Sequence, residues 1–157
     1  MSVTSDFRDL LYFLEKHEAR YLVIGGYAFA FHAIPRYTKD LDLFVDPSPG
    51  NVVRANKALA DFGAPLLLDS RRPGDIVQLG IEPSRVDLLL EIGPMDFETA
   101  WNSRVRGTYG DVEVNWVGIE GLIQSKRIAG RPRDLEDVET LERILSSEEP
   151  HDEKVDM

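Results

Sequence analysis

Residues 21–45 read YLVIGGYAFAFHAIPRYTKDLDLFV: an apolar run, a Gly-Gly pair, a short apolar segment closed by Pro35, and an alternating stretch that carries Asp40 and Asp42. This order predicts strand, turn, helix, strand. Side chains of a strand point to opposite faces in turn, so across residues 39–45 Asp40 and Asp42 share one face while Leu41, Leu43 and Val45 share the other. Two carboxylates held about 6–7 Å apart repel each other unless a cation or solvent screens them. Mg²⁺, with Mn²⁺ as its substitute, suits hard carboxylate oxygens and commonly shares its shell with nucleotide phosphates. Gly25 and Gly26 free the backbone at the start of the helix, where its N–H groups can approach a phosphate. The pair fits neither G-x-G-x-x-G nor G-x-x-x-x-G-K-[ST], which removes the usual support for a dinucleotide site or a P-loop.

Outward from this block, Ser5 is the expected cap of a first helix whose Phe7, Leu10, Leu11 and Leu14 follow the spacing of a buried stripe. A second helix is expected over residues 27–33 and a third over residues 51–62, the latter with Val52, Ala55, Leu59 and Phe62 facing inward. Further strands are predicted at 65–68, 75–81 and 85–92. A short helix over 96–103 precedes a hairpin of 105–109 and 112–116, turned at Gly110-Asp111. Helices over 119–129 and 132–145 close the pattern, with Pro132 harmless in a first turn. The sum is an α+β domain over residues 1–145: a mixed sheet of about four to six strands flanked by helices, with a site at the end of the first two strands. Residues 146–157 read as an acidic, disordered tail.

Composition narrows the function. The 157 residues carry a net charge of −10 and no cysteine, so disulfides and thiolate metal sites are excluded. Broad affinity for nucleic acid is not expected, since it depends on lysine and arginine neutralising phosphates. No apolar run approaches the ~18 residues of a membrane span and no secretory signal is evident, so a soluble, cytoplasmic protein is expected.

Asp87 supplies a third carboxylate, set mid-strand in Arg85-Val86-Asp87-Leu88-Leu89-Leu90 among residues that otherwise read as sheet core. If that strand pairs beside the one carrying Asp40 and Asp42, three acids can surround two divalent ions about 3.5–4 Å apart. Asp134 and Asp137 fall on the same helical side as Val138, Leu141 and Leu145, so they should be buried and paired, with Lys126 or Arg36 as partners.

With these residues in place, the sequence resembles the nucleotidyltransferase superfamily with the DNA polymerase β-like fold, whose signature is a Gly-Gly or Gly-Ser turn, D-x-D and a later lone carboxylate. Gly25-Gly26 followed by Arg36-Tyr37-Thr38-Lys39-Asp40-Leu41-Asp42-Leu43 is similar to its AbiEii-type branch of toxin and abortive-infection enzymes. Ile123-Gln124-Ser125-Lys126 and Arg133-Asp134-Leu135-Glu136-Asp137-Val138 are similar to the downstream lysine and R-D-x-x-D blocks of that branch. The resemblance implies Asp40, Asp42 and Asp87 as catalytic metal ligands, with Asp87 also the base toward the acceptor. It implies Gly25, Gly26, Arg36, Thr38 and Lys126 as nucleotide contacts, and Asp134 and Asp137 as a supporting ionic cluster. The implied reaction moves a nucleoside monophosphate from a nucleoside triphosphate, ATP among them, to a hydroxyl of RNA, protein or a small molecule. In a toxin, an antitoxin would be the partner. The alternatives are an inactive nucleotidyltransferase-like module that binds nucleotide or a partner protein, and a D-x-D sugar transferase. His32, Trp101 and Trp116 read as packing residues, and Arg127, Arg131 and Arg133 as a solvated face.

Overall fold

Phe7, Leu10, Leu11 and Leu14 form the fully buried stripe of helix α1 (Ser5–Lys16). The computed structural model describes residues 3–148, and in it Thr4 rather than Ser5 stands at the N-cap. Strand β1 (Tyr21–Ile24) is buried throughout and runs directly into helix α2 (Gly25–His32). Both glycines therefore belong to the helix's first turn instead of a turn ahead of it. Strand β2 (Asp40–Val45) follows, and helix α3 (Pro49–Phe62) starts two residues before its expected position because proline's fixed φ suits the first helical position.

The expected strand at 65–68 does not form. Asn56 of α3 captures that backbone, accepting from the Leu68 N–H at 2.8 Å and donating to the Leu68 carbonyl at 2.9 Å. Leu68 is buried while Leu66 and Leu67 face solvent, so the apolar run sits against a helix side chain and not in the sheet. Strand β3 is shorter than expected at Val77–Leu79, ending where Gly80 turns with φ +74°. Strand β4 (Arg85–Leu89) stops short of residue 92: its last paired residue is Leu89, opposite Phe44 near the end of β2.

Helix α4 (Phe97–Asn102) is capped by Asp96, whose carboxylate accepts from the Thr99 N–H. The hairpin of β5 (Val105–Tyr109) and β6 (Val112–Trp116), and helix α5 (Ile119–Ala129), match their predicted spans. Helix α6 (Pro132–Glu148) extends past residue 145 to Glu148; the rest of the expected acidic tail lies outside the described residues.

The six strands form one mixed sheet in the order β3-β4-β2-β1-β6-β5. β2 lies antiparallel to β1 and parallel to β4, placing Ile24 opposite Asp42, Arg85 opposite Asp40, and Asp87 opposite Asp42. The end of β1, the start of α2 and the acidic face of β2 and β4 thus converge. α1 packs on α3, α2 on β1, β2 and α5, and α5 on α6. Trp116 is fully buried and stacks on Phe31 with ring centroids 4.4 Å apart. Among the described residues no helix is long and apolar enough to cross a membrane.

Asn51, fully buried, ties α3 to the two central strands: it accepts from the Arg20 N–H and donates to the carbonyls of Arg20 and Asp46. Asn51→Ala leaves the Arg20 N–H and the Asp46 carbonyl without this partner and is expected to cost about 1–3 kcal/mol, read as a lower urea midpoint with an unchanged slope.

Candidate active site

Alternation along β2 and parallel pairing with β4 bring Asp40, Asp42 and Asp87 onto one face, where one oxygen from each lies within 4.8 Å of the others. All three are partly buried. Gly25 explains how Asp42 reaches this position: with φ +69°, it lies so close to the carboxylate that an added Cβ would stand 2.3 Å from Asp42 Oδ2. Gly26 is equally constrained, since its Cβ would meet Thr38 Cγ2 at 2.7 Å. The first use of both glycines is therefore to let side chains of the β2 approach nest against the start of α2.

Electrostatics at the triad are strained. Burial, then the neighbouring Asp87 and Asp40 charges, push the Asp42 carboxyl up to about 7 from 3.8, against the opposing pull of Arg85 and Arg131. Burial also raises Asp87; Arg85 works in the opposite direction and Asp40 adds to the rise. Arg85, on the same strand face, donates to Asp40 Oδ2 at 2.8 Å and to Asp87 Oδ2 at 3.4 Å. Its Nε stands 3.2 Å from Asp87 Oδ1, yet the alignment is poor and neither atom completes a hydrogen bond. Asp40 Oδ1 is likewise buried without a donor. An all-oxygen donor set with such spare acceptors fits a hard divalent cation.

The remaining expected residues form a second group beside the triad. Arg36 makes a two-pronged bond to Asp137, at 3.0 and 2.6 Å, with its guanidinium 4.1 Å from the Phe29 ring centroid. Lys126 is buried, its ammonium 2.9 Å from Asp137 Oδ2 and 3.8 Å from Asp134 Oδ1. Arg131 donates through Nε to Asp134 Oδ2 at 2.7 Å. Burial by itself would raise both acids, but hydrogen bonds from Arg36 and Lys126 hold Asp137, and those from Arg131 hold Asp134, below the usual carboxylate value. Arg36 and Lys126 are thus engaged in an ionic cluster with Asp134 and Asp137. Arg36 and Thr38 also line a hollow of about 310 Å³ with Tyr27, Tyr37, Pro83 and Ser84. His32 sits at the other end of α2, its Nε2 2.6 Å from the Val117 carbonyl oxygen.

Arg85, and Gln78 opposite Asp87, were not singled out from the sequence, and Arg131 was read only as part of a solvated face. Arg85 was detectable, because in R-V-D the alternation of a strand puts it beside Asp87. Arg131 was detectable as a helix cap: its N–H donates to Asp134 three residues on, with Pro132 between, and its charge reaches Asp42.

Solved structures that share this fold include nucleotidyltransferases. The lincosamide antibiotic adenylyltransferase LnuA, lincomycin-bound, superposes with a TM-score of 0.60 at 16% identity, over 92% of this chain and 99% of that one. ANT(2")-Ia in complex with adenylyl-2"-tobramycin gives 0.63 at 14% identity, over 92% and 90%. An antigenic nucleotidyltransferase-like protein from Paracoccidioides brasiliensis gives 0.56 at 14%, over 95% and 79%. No family model and no curated protein sequence matches the chain.

The Asp42 shift sets a pH dependence. A carboxyl raised in the folded state contributes stability that is full below its unfolded value of 3.8 and is lost as pH rises through about 7. If a divalent ion is held here it must displace that proton, and Mn²⁺ affinity would then be about tenfold weaker at pH 6 than at pH 8. Melting shifts with Mn²⁺ at the two pH values check this; equal shifts contradict it.

Proposed function

We propose that this chain is a metal-dependent nucleotidyltransferase that moves a nucleoside monophosphate from a nucleoside triphosphate to a hydroxyl acceptor, releasing pyrophosphate. The observation that carries the reading is the convergence of Asp40, Asp42 and Asp87 within 4.8 Å at the start of α2, with buried oxygens that lack donors. Mg²⁺, or Mn²⁺ in its place, supplies charge neutralisation of the triphosphate when held by these three residues. Asp87, its carboxyl raised by burial, takes the proton of the acceptor hydroxyl. Backbone N–H groups of Gly25 and Gly26 face the triphosphate at the helix N-terminus. Arg131, whose side chain is largely exposed, offers it a positive charge. Lys126 and Arg36 act on the nucleotide by holding this wall in place, and Thr38 borders the hollow in which the base or acceptor sits. In-line transfer of this kind depends mainly on positioning and electrostatics, which these groups supply.

Two structures of the same fold are an adenylyltransferase of lincosamide antibiotics and an enzyme bound to adenylylated tobramycin. They support ATP as donor and, among RNA, protein and small-molecule hydroxyls, a small-molecule acceptor. The AbiEii-type branch, with a toxin role and an antitoxin partner, rests on the motif blocks alone. A nucleoside triphosphate donor supports a cytoplasmic location for the protein.

One observation favours a second reading. Arg85 bridges Asp40 and Asp87, a fitting arrangement for an inactive domain that keeps the nucleotide pocket as a binding module.

Transfer of label from α-labelled triphosphates in Mg²⁺ or Mn²⁺ separates the two. The enzyme reading expects labelled product from wild type and a loss of about a hundredfold or more in Asp40→Ala/Asp42→Ala. No variant-sensitive transfer to RNA, protein or small-molecule hydroxyls favours the module.

A further inference from the structure

Arg85 occupies the face of the sheet on which the metal ligands stand. It lies opposite Asp40 in the β2–β4 register and two residues before Asp87 on the same strand, so its guanidinium has no route into the core and folds over the carboxylates. It bonds Asp40 Oδ2 and Asp87 Oδ2, oxygens of two of the three carboxylates that could hold a divalent ion.

Two details argue against a permanent lock. The contact is incomplete, because Arg85 Nε and Asp87 Oδ1 stand 3.2 Å apart without completing a hydrogen bond. A second acid also waits within reach: Glu82 Oε2 lies 3.8 Å from Arg85 Nη1, is 45% exposed, and has Lys39 as its other partner at 3.8 Å. The arginine side chain is 30% exposed, leaving its head a path between the two sets of acids.

We propose that Arg85 is a displaceable counter-cation: it partly offsets the triad's charge before metal arrives and passes to Glu82 when a divalent ion takes its place. The proposal rests on the metal-site reading above. A single guanidinium charge cannot balance three carboxylates, whereas a divalent ion at the same distance attracts each of them about twice as strongly, so exchange favours the metal while Arg85 lowers its apparent affinity. Arg85 is in this sense a positioning residue that keeps the acids together in the metal-free protein and sets the metal concentration at which the site fills.

The test is a calorimetric Mn²⁺ titration at pH 8 on the full chain without nucleotide, paired with melting in EDTA, for wild type, Arg85→Gln, Arg85→Met and Glu82→Gln. Arg85→Gln is expected to melt lower in EDTA yet bind Mn²⁺ about five- to tenfold more tightly. Glu82→Gln is expected to bind about two- to fivefold more weakly, having lost the landing site. A structural prop would instead lower EDTA stability and Mn²⁺ affinity together, so unchanged or weaker binding by Arg85→Gln overturns the proposal. Should that variant fail to fold, Arg85→Met, which removes the charge but keeps a long unbranched side chain, is expected to bind more tightly than wild type, and unchanged affinity there overturns it. A wild type that binds no Mn²⁺ overturns the metal-site reading as well.

Discussion

Parallel pairing of β2 with β4 sets Asp42 directly beside Asp87, and the chemistry of the site follows from that register. Like charges opposite one another destabilise a sheet, and here a third, Asp40, stands on the same face. The structure accommodates them in three ways: Asp42 is raised toward protonation, Arg85 leans across Asp40 and Asp87, and oxygens of Asp40 and Asp87 remain without donors. Each is a partial answer to a deficit of positive charge. A slip of one residue in β2 would turn both of its acids into the face now filled by Leu41, Leu43 and Val45, so the apolar core itself enforces the arrangement.

A second electrostatic system stabilises the wall next to the triad. Arg36, Lys126 and Arg131 alternate with Asp137 and Asp134, fastening α5 and α6 to the segment that leads into β2. Its pH response has the opposite sign from that of Asp42. Asp134 and Asp137, held low by their cations, contribute stability above the ordinary carboxylate range that is lost as pH falls through their depressed values. Removing one partner from such a buried group typically costs about 3–5 kcal/mol because a charge is left uncompensated. The cluster thus balances its charges, whereas the triad keeps an excess of negative charge.

Much of this was legible in residue order. Period-two alternation placed Asp40 and Asp42 on one face, a lone acid in an apolar run marked Asp87, and the helical phase of Asp134 and Asp137 marked them as buried and paired. What escaped depended on contacts distant in sequence. The apolar run at 65–68 looked like a strand because nothing nearby signals that Asn56 takes up its backbone. The glycine pair gave no sign that Asp42 and Thr38 would pack into the space a side chain there would fill. Arg85 acquires its meaning only once β4 lies beside β2, and Arg131 only once the α5–α6 turn is set against Asp42.

The most direct measurement of the central claim is a crystal structure with Mn²⁺ and a non-hydrolysable nucleoside triphosphate, phased on the manganese anomalous signal. The account predicts an anomalous peak coordinated by Asp40, Asp42 and Asp87, with the phosphates against the start of α2 and Arg85 turned toward Glu82. Manganese and nucleotide bound elsewhere, with Arg85 still bridging Asp40 and Asp87, would contradict it.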